Sequence, residues 1–367
     1  MIEFRLPSLG ADMEEGKLLE WKVVPGQAVK RGDIVAVVDT SKAAVEVEIW
    51  DAGTVHELVA QPGETYPVGA VLARLLAPGE QPGAAPAPAP APAPAARGRI
   101  SPAARKRAAE LGVRLEALKG SGPEGAVTLQ DVERAAAPAG ASAAPDKRSE
   151  MQKAIAAAMS RSKREIPHYY LSETIALAKA ADWLARENAT RPVTGRLLMA
   201  ALYVKAVARA CVRHPDLNGF FRDGGHVAGN AVHVGVAISL RSGGLIAPAL
   251  LDAQAKDLEQ LMRELMDLVK RARAGSLRSS EMSAPTITLT NLGDEGVEAV
   301  QGVIYPPQVA IVGFGRAAER PWVEEGKLCV ARVVTASLAA DHRVSNGHRG
   351  ALFLAEVNRL LQAPEAL

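Results

Sequence analysis

The feature that most constrains this chain is a segment built almost entirely from alanine, proline and glycine. Residues 77–98 read APGEQPGAAPAPAPAPAPAARG, and residues 136–147 form a second, shorter stretch of the same kind. Such segments carry too few large apolar side chains to bury a core, and alternating proline favours an extended spacer. The chain of 367 residues is therefore predicted to form three folded pieces, at residues 1–76, 99–135 and 148–367.

The first piece contains an internal repeat. Five residues recur after a fixed interval of 37 positions, so that Gly16, Glu20, Pro25, Gly26 and Gly32 are followed by Gly53, Glu57, Pro62, Gly63 and Gly69. Pro-Gly turns between short valine-rich segments predict two similar small sheets packed face to face. Lys42 lies in a short polar break between the two copies, on the turn that joins them.

The middle piece predicts two short helices. Ser101, Pro102 and Gly112 are suited to the N-cap, the first turn and the end of the first helix, and the second begins at Thr128. Residues 99–114 hold five Lys and Arg against one Glu, although the net charge of the whole chain is only +2. That overall balance does not suit a nucleic-acid binder, so we expect the local basic surface to meet an acidic protein face.

The third piece alternates helices and strands, which predicts an α/β or α+β sandwich with one large sheet. Residues 192–215 carry a helical stripe, whereas residues 231–240 and 330–340 read as strands. A further helix is predicted before Gly275, which should end it. Its apolar face contains Leu258, Leu261, Met262, Leu265, Leu268 and Val269.

Several classes of protein are disfavoured by composition. The two cysteines, Cys211 and Cys329, make no disulfide framework, so a reducing cytoplasm is expected. The opening residues MIEFRLPSLG lack a signal-peptide pattern, and no run approaches the ~20 apolar residues of a membrane span. Histidine spacings typical of a metal site are not found in the sequence, so no metal is expected.

The order of these parts resembles the dihydrolipoamide acyltransferases of 2-oxo acid dehydrogenase complexes, over nearly the whole chain. DTSKAAVEV is similar to their lipoyl-lysine turn, and SPAARKRAAELGV with LKGSGPEGAVTLQDVERA is similar to their peripheral-subunit-binding domain. IPHYYLSETI, TLTNLG, YPPQVAIVGFGR and DHRVSNG then follow the motif order of the acyltransferase domain. A biotin carrier, the alternative for the first piece, normally has Met-Lys-Met, whereas Lys42 lies between Ser41 and Ala43.

The resemblance implies a multidomain fold class with linkers at residues 77–98 and 136–147. It implies an all-β lipoyl domain at residues 1–76, a flattened barrel of two small sheets. It also implies a small helical peripheral-subunit-binding domain at residues 99–135 and an α/β chloramphenicol-acetyltransferase-like catalytic domain at residues 148–367.

The resemblance also implies cofactors and partners. Lys42 would carry lipoate in amide linkage, and coenzyme A would accept the acyl group. The implied partners are the 2-oxo acid dehydrogenase (decarboxylase) subunit, dihydrolipoamide dehydrogenase, and further copies of this chain in trimers and a larger core. Arg105 matches an arginine that such domains present to acidic dehydrogenase subunits, whereas a second arginine of the family pattern is replaced by Ala126.

Exchange between a thiol and a thioester needs a base for the thiol and a donor for the oxyanion. His342 in DHRVSNG matches the base of the family, and Thr290 in TLTNLG matches the hydroxyl that the family uses to hydrogen-bond the oxyanion. The family motif has aspartate where this chain has Asn346. A neutral amide cannot stabilise an imidazolium by charge, so we expect Asn346 to support the loop.

Three interpretations of the function differ in class. The first is an active lipoyl-dependent acyltransferase that also forms the core of a complex. The second is a non-catalytic structural component, a kind of protein that lacks the histidine. The third is a free-standing chloramphenicol-type acyltransferase, which the two appended domains disfavour. The motif IPHYYL favours acetyl as the acyl group, with branched-chain and acetoin complexes as alternatives.

Overall fold

The computed structural model describes most of the first and third pieces and a few residues of the middle piece. The described residues are 1–9, 13–40, 44–77, 104, 105, 108, 128, 132, 147–240 and 244–367. Internal contacts distinguish two units, Met1–Gln81 together with Glu150–Leu367 and, separately, Pro82–Ser149.

The N-terminal domain consists of eight short strands among the described residues. These are β1 (Ile2–Arg5), β2 (Glu15–Trp21), β3 (Ala28–Val29), β4 (Ile34–Asp39), β5 (Ala44–Glu48), β6 (Gly53–Leu58), β7 (Thr65–Pro67) and β8 (Val71–Leu76). They form two sheets, in the orders β1-β8-β6-β3 and β5-β4-β2-β7. Alternating apolar residues of both sheets enclose one core, which confirms the predicted pair of small sheets.

The 37-residue repeat appears in the structure as a two-fold arrangement of hydrogen bonds. The Gly26 amide donates to the Val55 carbonyl at 2.7 Å, and the Gly63 amide donates to the Leu18 carbonyl at 2.7 Å. Gly26 and Gly63 have φ angles of 88° and 95°, a conformation that a side chain disfavours. The register shift after Leu18 in the β2–β4 pair likewise recurs after Val55 in the β6–β8 pair. The turns therefore explain why the glycines recur, and the equivalent bulges show that the repeated strands pair in the same way.

The C-terminal domain contains twelve strands and six α-helices among the described residues. The helices are α1 (Lys147–Glu165), α2 (Ala178–Ala189), α3 (Met199–Arg213), α4 (Leu258–Ala274), α5 (Ser279–Ser283) and α6 (Gly347–Leu361). The strands are β9 (His168–Ala176), β10 (Gly219–Arg222), β11 (Gly225–Ala228), β12 (Val234–Val236), β13 (Ile238–Ser239), β14 (Leu245–Ile246), β15 (Ala249–Leu250), β16 (Leu277–Arg278), β17 (Ile287–Asn291), β18 (Ala310–Phe314), β19 (Ala318–Glu324) and β20 (Lys327–Asp341).

One large mixed sheet organises this domain, as the sequence predicted. Its order is β15-β12-β17-β18-β20-β19, and β9 pairs with the other edge of β20. β17 and β18 are parallel, whereas β20 runs antiparallel to both β18 and β9. Helix α3 is buried along most of its length against this sheet, with the Tyr203 and Phe314 rings stacked at a centroid distance of 4.1 Å. The core is therefore a helix-covered sheet.

Helix α4 agrees closely with its prediction. The Asp257 side chain accepts a hydrogen bond from the Gln260 amide at its N-terminus, and Gly275 ends the helix with φ 74°. Helix α3, by contrast, is shorter than the predicted stripe at residues 192–215. Pro192 precedes a single 3-10 turn at Val193–Gly195, and the chain is extended again at Leu198 before the helix starts.

Besides the first three residues of helix α1, the second unit is described at five positions. Ala104, Arg105 and Ala108 are helical, and Ala104 and Ala108 are buried whereas Arg105 is exposed. Val132 is helical and buried, and its amide donates to the Thr128 carbonyl at 3.4 Å, consistent with a second helix that begins near Thr128. The predicted cap residues of the first helix lie outside the described residues.

Candidate functional site

His342 lies directly after the last residue of β20. Its backbone amide donates to the Pro167 carbonyl at 3.0 Å, which fixes the turn against the start of β9. The imidazole is exposed and meets the Tyr169 ring edge to face, with centroids 5.4 Å apart. Within the described part of the chain, the imidazole nitrogens of His342 are not hydrogen-bonded. They are therefore available to accept a proton from a molecule that enters from solvent.

A buried carboxylate holds the turn that carries His342. Asp341 is fully buried, and its side chain accepts hydrogen bonds from the Arg343 backbone amide at 2.9 Å and from the Arg343 guanidinium at 2.7–3.1 Å. The Arg343 guanidinium also lies over the Phe221 ring, 3.9 Å from its centroid. Because a buried charge is tolerated when it is paired and hydrogen-bonded, this pair restricts the turn to one conformation.

Two aromatic residues of IPHYYL support the same turn. The Tyr169 hydroxyl and the Ser345 hydroxyl are 2.8 Å apart, and burial raises the pKa of Tyr169, so its hydroxyl stays protonated near neutral pH. His168 Nδ1 donates to the Ile166 carbonyl at 2.8 Å while Nε2 accepts from the Ile304 amide at 3.1 Å. Burial lowers the pKa of His168. His168 is therefore a neutral, fully bonded side chain with a structural role.

Asn346 caps helix α6. Its side-chain oxygen accepts from the Arg349 amide at 3.1 Å, so the amide group faces the helix backbone. The Arg349 guanidinium in turn donates to both carboxylate oxygens of Asp216 at 2.9 Å. Although burial opposes it, Arg349 holds the pKa of Asp216 below its usual value. These contacts bind the loop after His342 to the 3-10 turn Pro215–Leu217, which follows helix α3.

Thr290 lies at the far end of the sheet from His342. It is half-buried near the end of β17, where it is in register with Gly313 of β18, which is in register with Ser337 of β20. His342 is five residues beyond Ser337, which is about 17 Å along the strand. The structure therefore places Thr290 and His342 of one chain too far apart to contact the same small group, since such contacts are about 3 Å long.

The other predicted site residues lie apart from this sheet. Lys42 falls outside the described residues; the nearest registered pair of the β4–β5 hairpin is Asp39 with Ala44. Arg105 is an exposed helical residue of the second unit.

Sequence reasoning missed the residues that hold His342 in place. Asp341 and Arg343 flank the histidine directly, and a charged pair at the end of an apolar strand was a signal for a buried ion pair. Tyr169 and Ser345 carried no local signal, because they come together only through the pairing of β9 with β20.

Two negative findings apply to the described residues. None of their helices is long and apolar enough to cross a membrane. The described residues also contain no cluster of three or more His, Cys, Asp or Glu side chains that could hold a metal ion.

Three family models match this chain in consecutive order. The model described as "Biotin-requiring enzyme", of the biotin and lipoyl type, matches residues 2–75. The model described as "e3 binding domain" matches residues 98–133. The model described as "2-oxoacid dehydrogenases acyltransferase (catalytic domain)" matches residues 143–367, which is more than half of the chain.

Relatives and solved structures agree with these models. The acetyltransferase component of the pyruvate dehydrogenase complex of Rhizobium meliloti (strain 1021) is 34% identical and covers 99% of this chain and 98% of its own length. The cubic core of a pyruvate dehydrogenase multienzyme complex is 28% identical, with a TM-score of 0.56 over 59% of this chain and 90% of that one.

A further solved structure, the dihydrolipoamide acetyltransferase of Azotobacter vinelandii, is 27% identical, with a TM-score of 0.56 over 59% of this chain and 90% of that one. Its description concerns the role of a serine, a histidine and an asparagine in the catalytic mechanism of that enzyme. In that enzyme the serine precedes the histidine by 52 positions and the asparagine follows it by four.

A lipoyl-type domain, an e3-binding domain and an acyltransferase domain thus follow one another, and relatives match over the full length. The chain belongs to the family of 2-oxoacid dehydrogenase acyltransferases.

Proposed function

We propose that this protein transfers an acetyl group from its lipoyl arm to coenzyme A, as the core component of a pyruvate dehydrogenase complex. The observation that carries the proposal is the exposed imidazole of His342, held by Asp341, Arg343 and Tyr169 in a chain whose relatives are acetyltransferase components. The same observation argues against a non-catalytic structural component, which has no use for a rigidly held, solvent-facing histidine. The shared description of the relatives favours acetyl over a branched-chain acyl group.

His342, Thr290 and Lys42 have separate roles in the proposed acetyl transfer. An imidazole nitrogen of His342 accepts the proton of the coenzyme A thiol, and the same proton is later returned to the departing thiol. The Thr290 hydroxyl donates a hydrogen bond to the carbonyl oxygen as negative charge develops there. A lipoyl group on Lys42, when attached, supplies the thiol that carries the acetyl group.

Spacing supports the assignment of these roles. Thr290 precedes His342 by 52 positions, and Asn346 follows His342 by four. The serine, histidine and asparagine named for the Azotobacter vinelandii enzyme have the same two spacings. A threonine hydroxyl replaces a serine hydroxyl as the donor in this chain. The asparagine four positions after the histidine is thus shared with a relative and does not argue against activity.

The separation of Thr290 from His342 supports a site built from two copies of the chain. A second copy bound head to tail would place its own Thr290 against the first copy's His342, and repetition would close a ring. This arrangement agrees with the trimers expected from the family and with the cubic core among the matched structures.

Kinetics of two variants test the shared site. His342→Ala should lower kcat by ~10²–10⁴ because the thiol loses its base, and Thr290→Val should lower it by ~10²–10³ because the oxyanion loses its donor. When the two variants are co-expressed in equal amounts, about one interface in four combines an intact His342 with an intact Thr290. We expect acetyltransferase activity to return to about a quarter of the wild-type value. A mixture no more active than the single variants would place both residues in one chain's site or remove one of them from it.

Two substitutions of Asn346 test whether this residue supports the loop or acts electrostatically on His342. Asn346→Ala should lower the free energy of unfolding by about 0.5–2 kcal/mol, because the Arg349 amide loses its cap, whereas Asn346→Asp keeps an acceptor and should remain stable. The acid limb of the pH–rate profile should stay in place in Asn346→Asp. An upward shift of about one unit would instead indicate that the carboxylate acts on His342.

Lys42 is proposed as the lipoyl attachment site. Protein produced with lipoate should gain the mass of one lipoyl group, and Lys42→Ala should abolish that gain. Lys30→Ala, which removes an exposed lysine elsewhere in the same domain, is the matched control and should be modified normally. A mass gain that survives Lys42→Ala would contradict the assignment.

Arg105 is proposed to bind an acidic face of the dihydrolipoamide dehydrogenase subunit, in agreement with the e3-binding model. Arg105→Ala should weaken binding in low salt, and the difference from wild type should shrink as salt screens the exposed charge. Arg209→Ala, an exposed arginine on helix α3, should bind like the wild type. Equal affinities for the wild type and Arg105→Ala in low salt would remove Arg105 from this interface.

The hairpin of β19 and β20 is proposed to contribute to assembly. Pro321 pairs with Val330 and Val323 pairs with Leu328 in the antiparallel register, so four apolar side chains share one face. Val323, Leu328 and Val330 are 64%, 79% and 73% exposed, an arrangement that favours contact with another copy. Leu328→Asp should therefore sediment as a smaller species than the wild type, and Val212→Asp on helix α3 should not. Unchanged sedimentation of Leu328→Asp would exclude this face.

The expected reducing cytoplasm stays a prediction. It is supported by the separation of the two cysteines, since Cys211 is buried inside the domain and Cys329 lies on the β19–β20 hairpin.

A further inference from the structure

A strand of the catalytic domain extends a sheet of the lipoyl domain. β16 pairs in parallel with β5, with Leu277 opposite Val45 and Arg278 opposite Glu46. β5 is otherwise the edge strand of its sheet, and an edge strand presents unpaired backbone groups that can recruit another strand. Val45 and Leu277 are both fully buried in this arrangement. The contact therefore has the form of strand addition.

A carboxylate at the end of β5 reinforces this pairing. Glu48 is 7% exposed, and its side chain accepts hydrogen bonds from the Ser280 amide at 3.1 Å and from the Ser279 hydroxyl at 3.3 Å. The Glu48 backbone amide also donates to the Ser279 hydroxyl at 3.1 Å. All of these partners belong to the catalytic domain. Because a buried carboxylate without partners is destabilising, these hydrogen bonds stabilise Glu48 at the contact.

The receiving segment is held in place by contacts within the catalytic domain itself. Glu281 forms a bidentate ion pair with Arg271 of helix α4 and accepts a hydrogen bond from the Arg278 amide at 2.8 Å. Met282 packs against the cores of both domains. A rigid receiving segment reduces the entropy lost on binding.

From these contacts we infer that residues 277–282, the docking segment, form a binding site on the catalytic domain for the β5 edge of the lipoyl domain. The two domains keep separate hydrophobic cores, joined at this contact through Met282. β5 begins two positions after Lys42, so the docking segment contacts the strand that follows the proposed lipoyl attachment site in the chain. Docking therefore adds a defined orientation to the proximity that the linker provides. This consequence for transfer rests on the proposed function, whereas the contact itself does not.

A disulfide cross-link tests the contact and its register. The full-length double variant Glu46→Cys with Arg278→Cys, in a Cys329→Ser background, places two cysteines at opposed positions of the parallel pair, within the usual range of a disulfide. Mild oxidation should join the two peptides, as seen by mass spectrometry. Glu57→Cys with Arg278→Cys is the matched control, because Glu57 is exposed on the other lipoyl sheet, and it should cross-link poorly. A cross-link between two copies would use the same surface and also support the inference.

Glu48→Ala tests the energetic role of the carboxylate. It should reduce the rate of cross-linking about tenfold, since hydrogen bonds to a charged group are lost. It should also slow acetyl transfer from the attached lipoyl arm while leaving the rate with free dihydrolipoamide unchanged. His342→Ala, added to the Glu46→Cys and Arg278→Cys variant, should cross-link at the same rate as that variant alone, which separates docking from chemistry. Equal cross-linking of the Glu46 and Glu57 pairs, or a rate unchanged by Glu48→Ala, would overturn the inference.

Discussion

The antiparallel pairing of β20 with β18 and β9 is the constraint on which the rest of this structure depends. β20 is fifteen residues long, and its second half is hydrogen-bonded on both sides while its first half forms a hairpin with β19. One strand therefore fixes three things at once. It delivers His342 to one end of the sheet, it separates His342 from Thr290, and it projects the exposed hairpin from the other end. A shift of this register by one residue would turn the buried faces of β20 outward and move every one of these features.

The position of His342 then depends on electrostatics at the end of that strand. Asp341 is the last strand residue and is fully buried, so its charge needs Arg343 as a partner. The ion pair joins Asp341 and Arg343, the residues on either side of His342. The histidine side chain between them therefore faces solvent. Asn346 and Arg349 then join the turn to helix α6 and to Asp216. The imidazole itself is left without a charged partner from these groups, in contrast to a triad in which a carboxylate orients the base.

Local signals in the sequence predicted the elements whose causes are local. The apolar face and the stop at Gly275 predicted helix α4 because both are properties of the segment itself, and the 37-residue repeat predicted two sheets because each copy carries its own turns. The helix expected from residue 192 begins at Met199, since Pro192 and a 3-10 turn interrupt the pattern. The distance between Thr290 and His342 was not predictable, because it follows from strand pairings between segments far apart in the chain. The docking segment carried no sequence signal either, since two residues of strand have no periodicity to detect.

The linker and the docking segment act on the same equilibrium in different ways. A tether of the length and composition of residues 77–98 holds an attached domain at roughly mM effective concentration. The docking site is then half occupied when the dissociation constant is near mM, which corresponds to a binding free energy of about 4 kcal/mol. Two registered backbone pairs, one hydrogen-bonded carboxylate and one methionine are a contact of that order, far smaller than a permanent interface. A much stronger contact would hold the lipoyl domain permanently at the catalytic domain and leave the tether without effect. The small size of the contact therefore keeps docking reversible.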